Sequence, residues 1–163
     1  MSLRNGKQIR RGFTFKTPGS GKTFLACCIL KSVLTRTGRR CKFITAPDYM
    51  EKVSQSYKKE KGELDPTWIY RDCDLLVLDD IGTQMSKEWQ QQELFRLVND
   101  RLTSGKVTIF TSNNSVGTLN LEDRTLSRIQ KTCIPIHVPE VSIRQQKANE
   151  EQMSFVKRIL GEE

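Results

Sequence analysis

Two short stretches of this chain hold residues whose types and spacing suit chemistry on phosphates. The first is FKTPGSGKT, Phe15 to Thr23. It ends as a phosphate-binding loop of the pattern G-x-x-x-x-G-K-[ST] ends. Small residues at Gly19 and Gly21 let the backbone curl its N–H groups around a phosphate. Lys22 brings a point charge to the outer phosphates, and Thr23 brings a hydroxyl for Mg2+. A helix opening near Lys22 adds the positive end of its dipole. The leading glycine of the pattern falls at position 16, which is Lys. Its loss removes easy access to positive φ where the chain leaves the preceding strand. The expectation is a tightened loop that still binds phosphates, with strain of about 1–3 kcal/mol weakening binding roughly tenfold to a hundredfold. The opposing reading is a loop collapsed on itself, with Lys16 intruding.

The second stretch is CDLLVLDDIG, in which four consecutive apolar residues, Leu75 to Leu78, precede Asp79 and Asp80. An apolar strand ending in acids is the Walker B pattern. The carboxyl ends of such strands open onto the ligand crevice of a parallel α/β sheet. Asp79 is placed to hold Mg2+, usually through water, and Asp80 to orient or deprotonate an attacking water. A capped strand end or a salt-bridge site is the plainer reading of the pair. An upstream phosphate loop makes it the weaker one.

The elements that must position these residues alternate along the chain. GFTF, CKFIT, LLVL, KVTIFTSNN and CIPIHV read as strands, and the unbroken apolar run at 75–78 indicates burial on both faces, as in a parallel sheet. Lys22 to about Thr37 reads as a helix with a broad apolar face of Leu25, Ala26, Ile29, Leu30, Val33 and Leu34, stopped by Gly38. Pro47 and Asp48 suit the first turn of a second helix carrying Tyr49, Met50, Val53 and Tyr57. Trp89 to about Thr103 is a third, with Leu94, Leu97, Val98 and Leu102 inward. Val141 to Leu160 reads as a charged terminal helix. Such alternation predicts an α/β fold around a five-stranded parallel sheet.

Bulk properties agree. The 163 residues suit one domain, with 36% hydrophobic and 28% charged residues. No apolar run reaches the length of a membrane span, and MSLRNGKQIRRG has no apolar core of a signal peptide. Five cysteines without C-x-x-C spacing read as reduced thiols packed as small hydrophobes in a cytoplasmic protein. His137 has no ligand cluster around it in sequence and reads as structural. The net charge is +8, with basic residues concentrated in 4–11, 36–42 and 58–61. That balance leans toward a nucleic-acid partner.

PGSGKTFLA, DLLVLDDIG and TIFTSNNS, in that order, resemble the AAA+ ATPase domain of bacterial replicative helicase loaders of the DnaC/DnaI type. The transposition helper ATPase IstB is similar too. The resemblance covers Gly12 to about Gln146. It implies a P-loop NTPase fold of the AAA+ three-layer type, with the lid domain absent or reduced to the tail. It implies ATP and Mg2+ as cofactors, the nucleotide being held by Pro18, Gly19, Ser20, Gly21, Lys22, Thr23 and Phe24, with Arg144 as the sensor 2 arginine. Asn113 matches sensor 1, which contacts the γ-phosphate or the lytic water; a strand-end turn is its plain alternative. Arg128 matches the arginine finger inserted into a neighbouring subunit's site, with Arg124 as the nearby alternative. A surface ion pair with Glu122 or Asp123 is the bland reading of either. The segment from Pro47 to about Lys61 matches the extra helix of the initiator and loader clade, which touches single-stranded DNA in relatives. Lys58, Lys59 and Lys61 agree with that role. Tyr57 and Tyr70 are either stacking surfaces or core, and core is the favoured reading. The second acid, Asp80, stands where many AAA+ proteins have Glu.

These readings divide the chain into a basic leader or linker, 1–11, and an AAA+ domain, 12–163, expected to be a fragment lacking an N-terminal helicase-binding domain. The leading functional expectation is a weak ATPase switch that loads or remodels a replicative helicase on single-stranded DNA and self-associates through its arginine finger. A nucleotide-gated DNA- or transposase-binding module with negligible turnover is the alternative. A P-loop kinase is a third reading, disfavoured because no Arg-rich lid segment is visible.

Overall fold

The computed structural model describes residues 12–16, 21–58, 65–82, 85–114 and 119–137. Five strands, β1 (Gly12–Lys16), β2 (Cys41–Thr45), β3 (Leu75–Asp79), β4 (Val107–Thr111) and β5 (Cys133–His137), form one sheet in the order β2-β3-β4-β1-β5. Every pairing is parallel. The helices are α1 (Lys22–Thr37), α2 (Ala46–Ser56), α3 (Trp68–Asp72), α4 (Glu88–Thr103) and α5 (Asp123–Thr132). The expected parallel α/β sheet is therefore present.

The central strand shows why three layers form. All five residues of β3 are buried, and successive side chains of a strand point to opposite faces. Leu76 and Leu78 join a large cluster that includes Tyr49, Met50, Val53, Leu94, Leu97, Val98 and Ile129, from α2, α4 and α5. Leu75 and Val77 join a smaller one with Ala26 of α1 and Ile109 of β4. The layers are thus α1, the sheet, and the remaining helices.

Ala26 is buried, and Ile29, Leu30 and Val33 pack against the smaller cluster. Leu25 and Leu34 lie about 90° off that stripe at 100° per residue, and both are exposed. The apolar face is narrower than the sequence pattern suggests. Cys27 and Cys28 fall on the solvent side and are exposed, contrary to the expectation that all five thiols are packed; Cys73 and Cys133 are buried. α2 starts as expected: Thr45 caps it by accepting from the Asp48 amide at 3.2 Å, with Pro47 in the first turn.

Arg101 is a structural residue with no sequence signal. Its side chain is fully buried and donates to the carbonyls of Tyr70, Cys73 and Val107 at 2.7, 2.9 and 2.6 Å, and to Thr108 Oγ1 at 2.9 Å. It ties the α3–β3 turn to the start of β4. The terminal helix expected over 141–160 and the basic segment 4–11 lie outside the described residues. Among the described residues no helix is long and apolar enough to cross a membrane.

Candidate nucleotide site

Register brings the chemistry together. Thr45 pairs with Asp79, Leu78 with Phe110, and Phe15 with Thr111. The last residues of β3 and β4 therefore stand side by side at the carboxyl edge of the sheet, where α1 begins. Gly21 caps α1 in the left-handed region, φ 79°, which glycine adopts freely. No side chain caps this end, and the first turn holds no acid. The free N–H groups and the helix dipole there favour an anion.

Lys22 is buried, and its Nζ donates to Asn113 Oδ1 at 3.2 Å. Asn113 Nδ2 donates in turn to Asp80 Oδ1 at 3.2 Å. Thr23 Oγ1 donates to the two carboxylate oxygens of Asp79, at 2.9 and 3.1 Å. Five expected site residues, Lys22, Thr23, Asp79, Asp80 and Asn113, thus form two hydrogen-bonded chains that link the phosphate loop to the two strand ends. Asn113 is more than a turn residue.

Sequence reasoning missed Thr111. Its buried hydroxyl donates to Asp79 Oδ1 and accepts from the Asp80 amide at 2.9 Å. Its carbonyl accepts from the Ile81 amide at 2.9 Å, and Ser112 Oγ donates to the Ile81 carbonyl at 2.8 Å. Asp80 has φ 59°, and among the described residues it is the one non-glycine with positive φ. Asp tolerates that region better than most residues. The Thr111 and Ser112 bonds hold the Asp80–Ile81 segment in it. The available signal was a pair of hydroxyl residues closing an apolar strand beside the Walker B strand.

Lys16 departs from expectation. It lies within β1 and pairs with His137. The strand runs through the place of the missing glycine, and extended backbone suits any residue, so no positive-φ strain arises at that position. Pro18, Gly19, Ser20 and Arg144 lie outside the described residues. Phe24 is 73% exposed at the start of α1.

Arg128 is not joined to the Lys22–Asn113 set. Its guanidinium carbon lies 5.2 Å from the centroid of Phe95, and that of Arg124 lies 4.4 Å from the same ring. The ion pair with Glu122 belongs to Arg124. Tyr70 is buried and meets Tyr49 edge-on, as a core residue. Tyr57 is not core: it is 65% exposed, its hydroxyl donating to the buried Glu93 at 2.9 Å. Lys58 is exposed, while Lys59 and Lys61 lie outside the described residues.

A sequence profile of the bacterial DnaA ATPase domain matches residues 3–134. The chain belongs to that family. The chromosomal replication initiator DnaA of Lactococcus lactis subsp. cremoris is 32% identical over 119 residues, which are 71% of this chain and 26% of the relative. The chain thus spans about a quarter of the length of that curated relative. Among solved structures, the DnaC helicase loader superposes with a TM-score of 0.73 at 25% identity, covering 83% of this chain and 82% of the loader. The replication initiator DnaA bound to AMPPCP and single-stranded DNA superposes with a TM-score of 0.71 at 26% identity, over 87% of this chain and 46% of the initiator. The loader-type AAA+ resemblance seen in the sequence holds, and the initiator joins it.

The donor set fits the cofactors of such a domain. Thr23 Oγ1 and the Asp79 carboxylate are hard oxygen donors, as Mg2+ prefers. Among the described residues no group of three or more His, Cys, Asp or Glu could hold a metal ion alone. Mg2+ takes one or two protein ligands and completes its shell with water and phosphate.

Proposed function

We propose that this chain is an ATP-binding and ATP-hydrolysing domain of a DNA replication protein. The observation that carries the reading is the pair of hydrogen-bonded chains Lys22–Asn113–Asp80 and Thr23–Asp79–Thr111 at the open end of α1. Lys22 and the α1 N-terminus bind the outer phosphates; the resemblance assigns Pro18, Gly19, Ser20, Gly21 and Phe24 to the same phosphate-binding role and Arg144 to that of the sensor 2 arginine. Thr23 and Asp79 would hold Mg2+, which would supply charge neutralisation to the phosphates. Asp80 orients the attacking water and accepts its proton, and Asn113 fixes the Asp80 carboxylate. Thr111 holds Asp79 and Asp80 in one arrangement. Arg128 serves a neighbouring copy's site in trans, which makes turnover depend on self-association.

Single-stranded DNA and a replicative helicase are the partners this reading assigns. The similarity to the DnaC loader and to the DNA-bound initiator supports both. The test is phosphate release from ATP with Mg2+, with and without single-stranded DNA. Release stimulated by DNA and lost in Asp80→Asn is the expected result. Saturable ATP binding with no release makes the chain a nucleotide-gated binding module instead. Transfer to an added acceptor makes it a kinase.

A further inference from the structure

The first 47 residues contain eleven of the 27 Lys and Arg and none of the 19 Asp and Glu, so the rest of the chain is net negative. Part of this charge lies at the end of the sheet opposite the nucleotide site. The α1–β2 turn carries Arg36, Arg39, Arg40 and Lys42, all exposed. β2 runs from this turn up to Thr45, level with Asp79, so a strand of five residues, about 16 Å, separates the turn from the site.

The turn is held rigidly. Gly38 takes φ 64° and donates to the Leu34 carbonyl at 3.0 Å. The Arg40 carbonyl accepts from the amides of Asp74 and Leu75 at 2.8 and 3.2 Å. The Arg40 amide donates to Asp74 Oδ2 at 3.1 Å, and its guanidinium pairs with Asp72 at 2.6 Å. Asp72 and Asp74 are thus used on Arg40 and on Lys106, which lies 3.6 and 3.5 Å from them. Arg36, Arg39 and Lys42 have no carboxylate within ion-pairing distance among the described residues. A helix C-terminus favours one cation in its last turn, which accounts for Arg36 alone.

We propose that this turn is a contact for the sugar-phosphate backbone of duplex DNA, separate from the nucleotide site. Arg36, Arg39 and Lys42 are three exposed cations on this held turn, and between Phe24 and the half-exposed Phe43 of β2 the sequence has no aromatic residue; one ring beside three cations suits phosphates better than bases, because stacking on successive bases needs several aromatic faces. Such a surface favours the higher charge density of the duplex. The inference goes beyond the proposed ATPase and does not depend on it.

Fluorescence anisotropy with a labelled duplex of arbitrary sequence, without nucleotide, tests it. Three neutralised phosphates contribute about −2.7 to the slope of log affinity against log salt, or roughly fortyfold between 50 and 200 mM. Arg36→Ala/Arg39→Ala/Lys42→Ala should lose that share of the salt dependence and unfold in urea at the parent's midpoint, which shows it folded. A charge-matched control, Lys31→Ala/Lys87→Ala/Lys131→Ala, should retain the slope. Equal losses in the two triple variants would reduce the effect to net charge and overturn the proposal. So would parent binding only to the single strand, or only to phosphatidylglycerol vesicles.

Discussion

Replacing Thr111 by Val keeps the β-branched shape of the strand and removes one hydroxyl. That hydroxyl is 2% exposed in residue terms and serves both acids, donating to Asp79 and accepting from the Asp80 amide. The substitution leaves Asp79 with Thr23 as its remaining hydrogen-bond donor among the side-chain bonds described above, and leaves the Asp80 amide without its acceptor. A lost charge-assisted bond and an unsatisfied amide, partly offset by the added methyl, come to about 2 kcal/mol. For a chain of this size that lowers Tm by roughly 4–8 °C. Nucleotide affinity should change little, because Lys22 and Thr23 are untouched. Phosphate release should fall roughly tenfold to a hundredfold, since one tenfold is about 1.4 kcal/mol of transition-state alignment. Thr111→Ser is the companion variant. It keeps both bonds and loses a methyl, so its stability falls by about 1 kcal/mol while release stays near the parent rate. A merely structural Thr111 would make the two variants' release rates equal. Equal rates, or a Val variant with the parent's Tm and release, would refute the role of the Thr111 hydroxyl in holding the two acids.

Arg101→Met should destabilise the chain by about 3 kcal/mol in urea unfolding, because several buried carbonyls lose their donor at once; a loss under about 1 kcal/mol would show that water or repacking satisfies them. The thiols should separate by reactivity. Burial pushes the Cys133 thiol up to about 11, so it stays neutral in the folded chain. At mildly alkaline pH a disulfide reagent should modify the exposed Cys27 and Cys28 quickly, and Cys73 and Cys133 only after unfolding. The same shift has a stability consequence. An unfolded Cys133 ionises near pH 8.5 and the folded one near 11, so its contribution is complete below the former and declines as pH rises toward the latter. Cys133→Ala should flatten that part of the stability curve.

Much of the site was legible because its parts are local. A glycine before Lys-Thr, an apolar strand ending in two acids, and Asn after a strand each carry their chemistry within a few residues, and the alternation of strands and helices places them at one edge of a sheet. What escaped depends on distant partners. Thr111 matters because β4 lies beside β3, and Arg101 because four carbonyls converge on it. α3 and α5 were not foreseen as helices: α3 has only five residues, and α5 buries only Thr125 and Ile129. Five residues leave no room for a helical period to show in α3, whereas the stripe of Thr125, Leu126 and Ile129 in α5 has helical spacing and was readable. The breadth of the α1 apolar face was overread, because a run of apolar residues does not say how far the sheet wraps around a helix. Strain at Lys16 was expected from a loop pattern, yet the strand itself extends through that position.

The most direct test is a titration of a fluorescent ATP analogue with Mg2+ against this chain, Lys22→Ala, and a form with Gly inserted between Phe15 and Lys16. Saturable binding by the parent is expected, weakened roughly tenfold to a hundredfold in Lys22→Ala by loss of a charge-assisted contact, with no gain from the inserted Gly. Absence of binding by the parent, equal binding by Lys22→Ala, or binding only after the insertion would contradict this expectation.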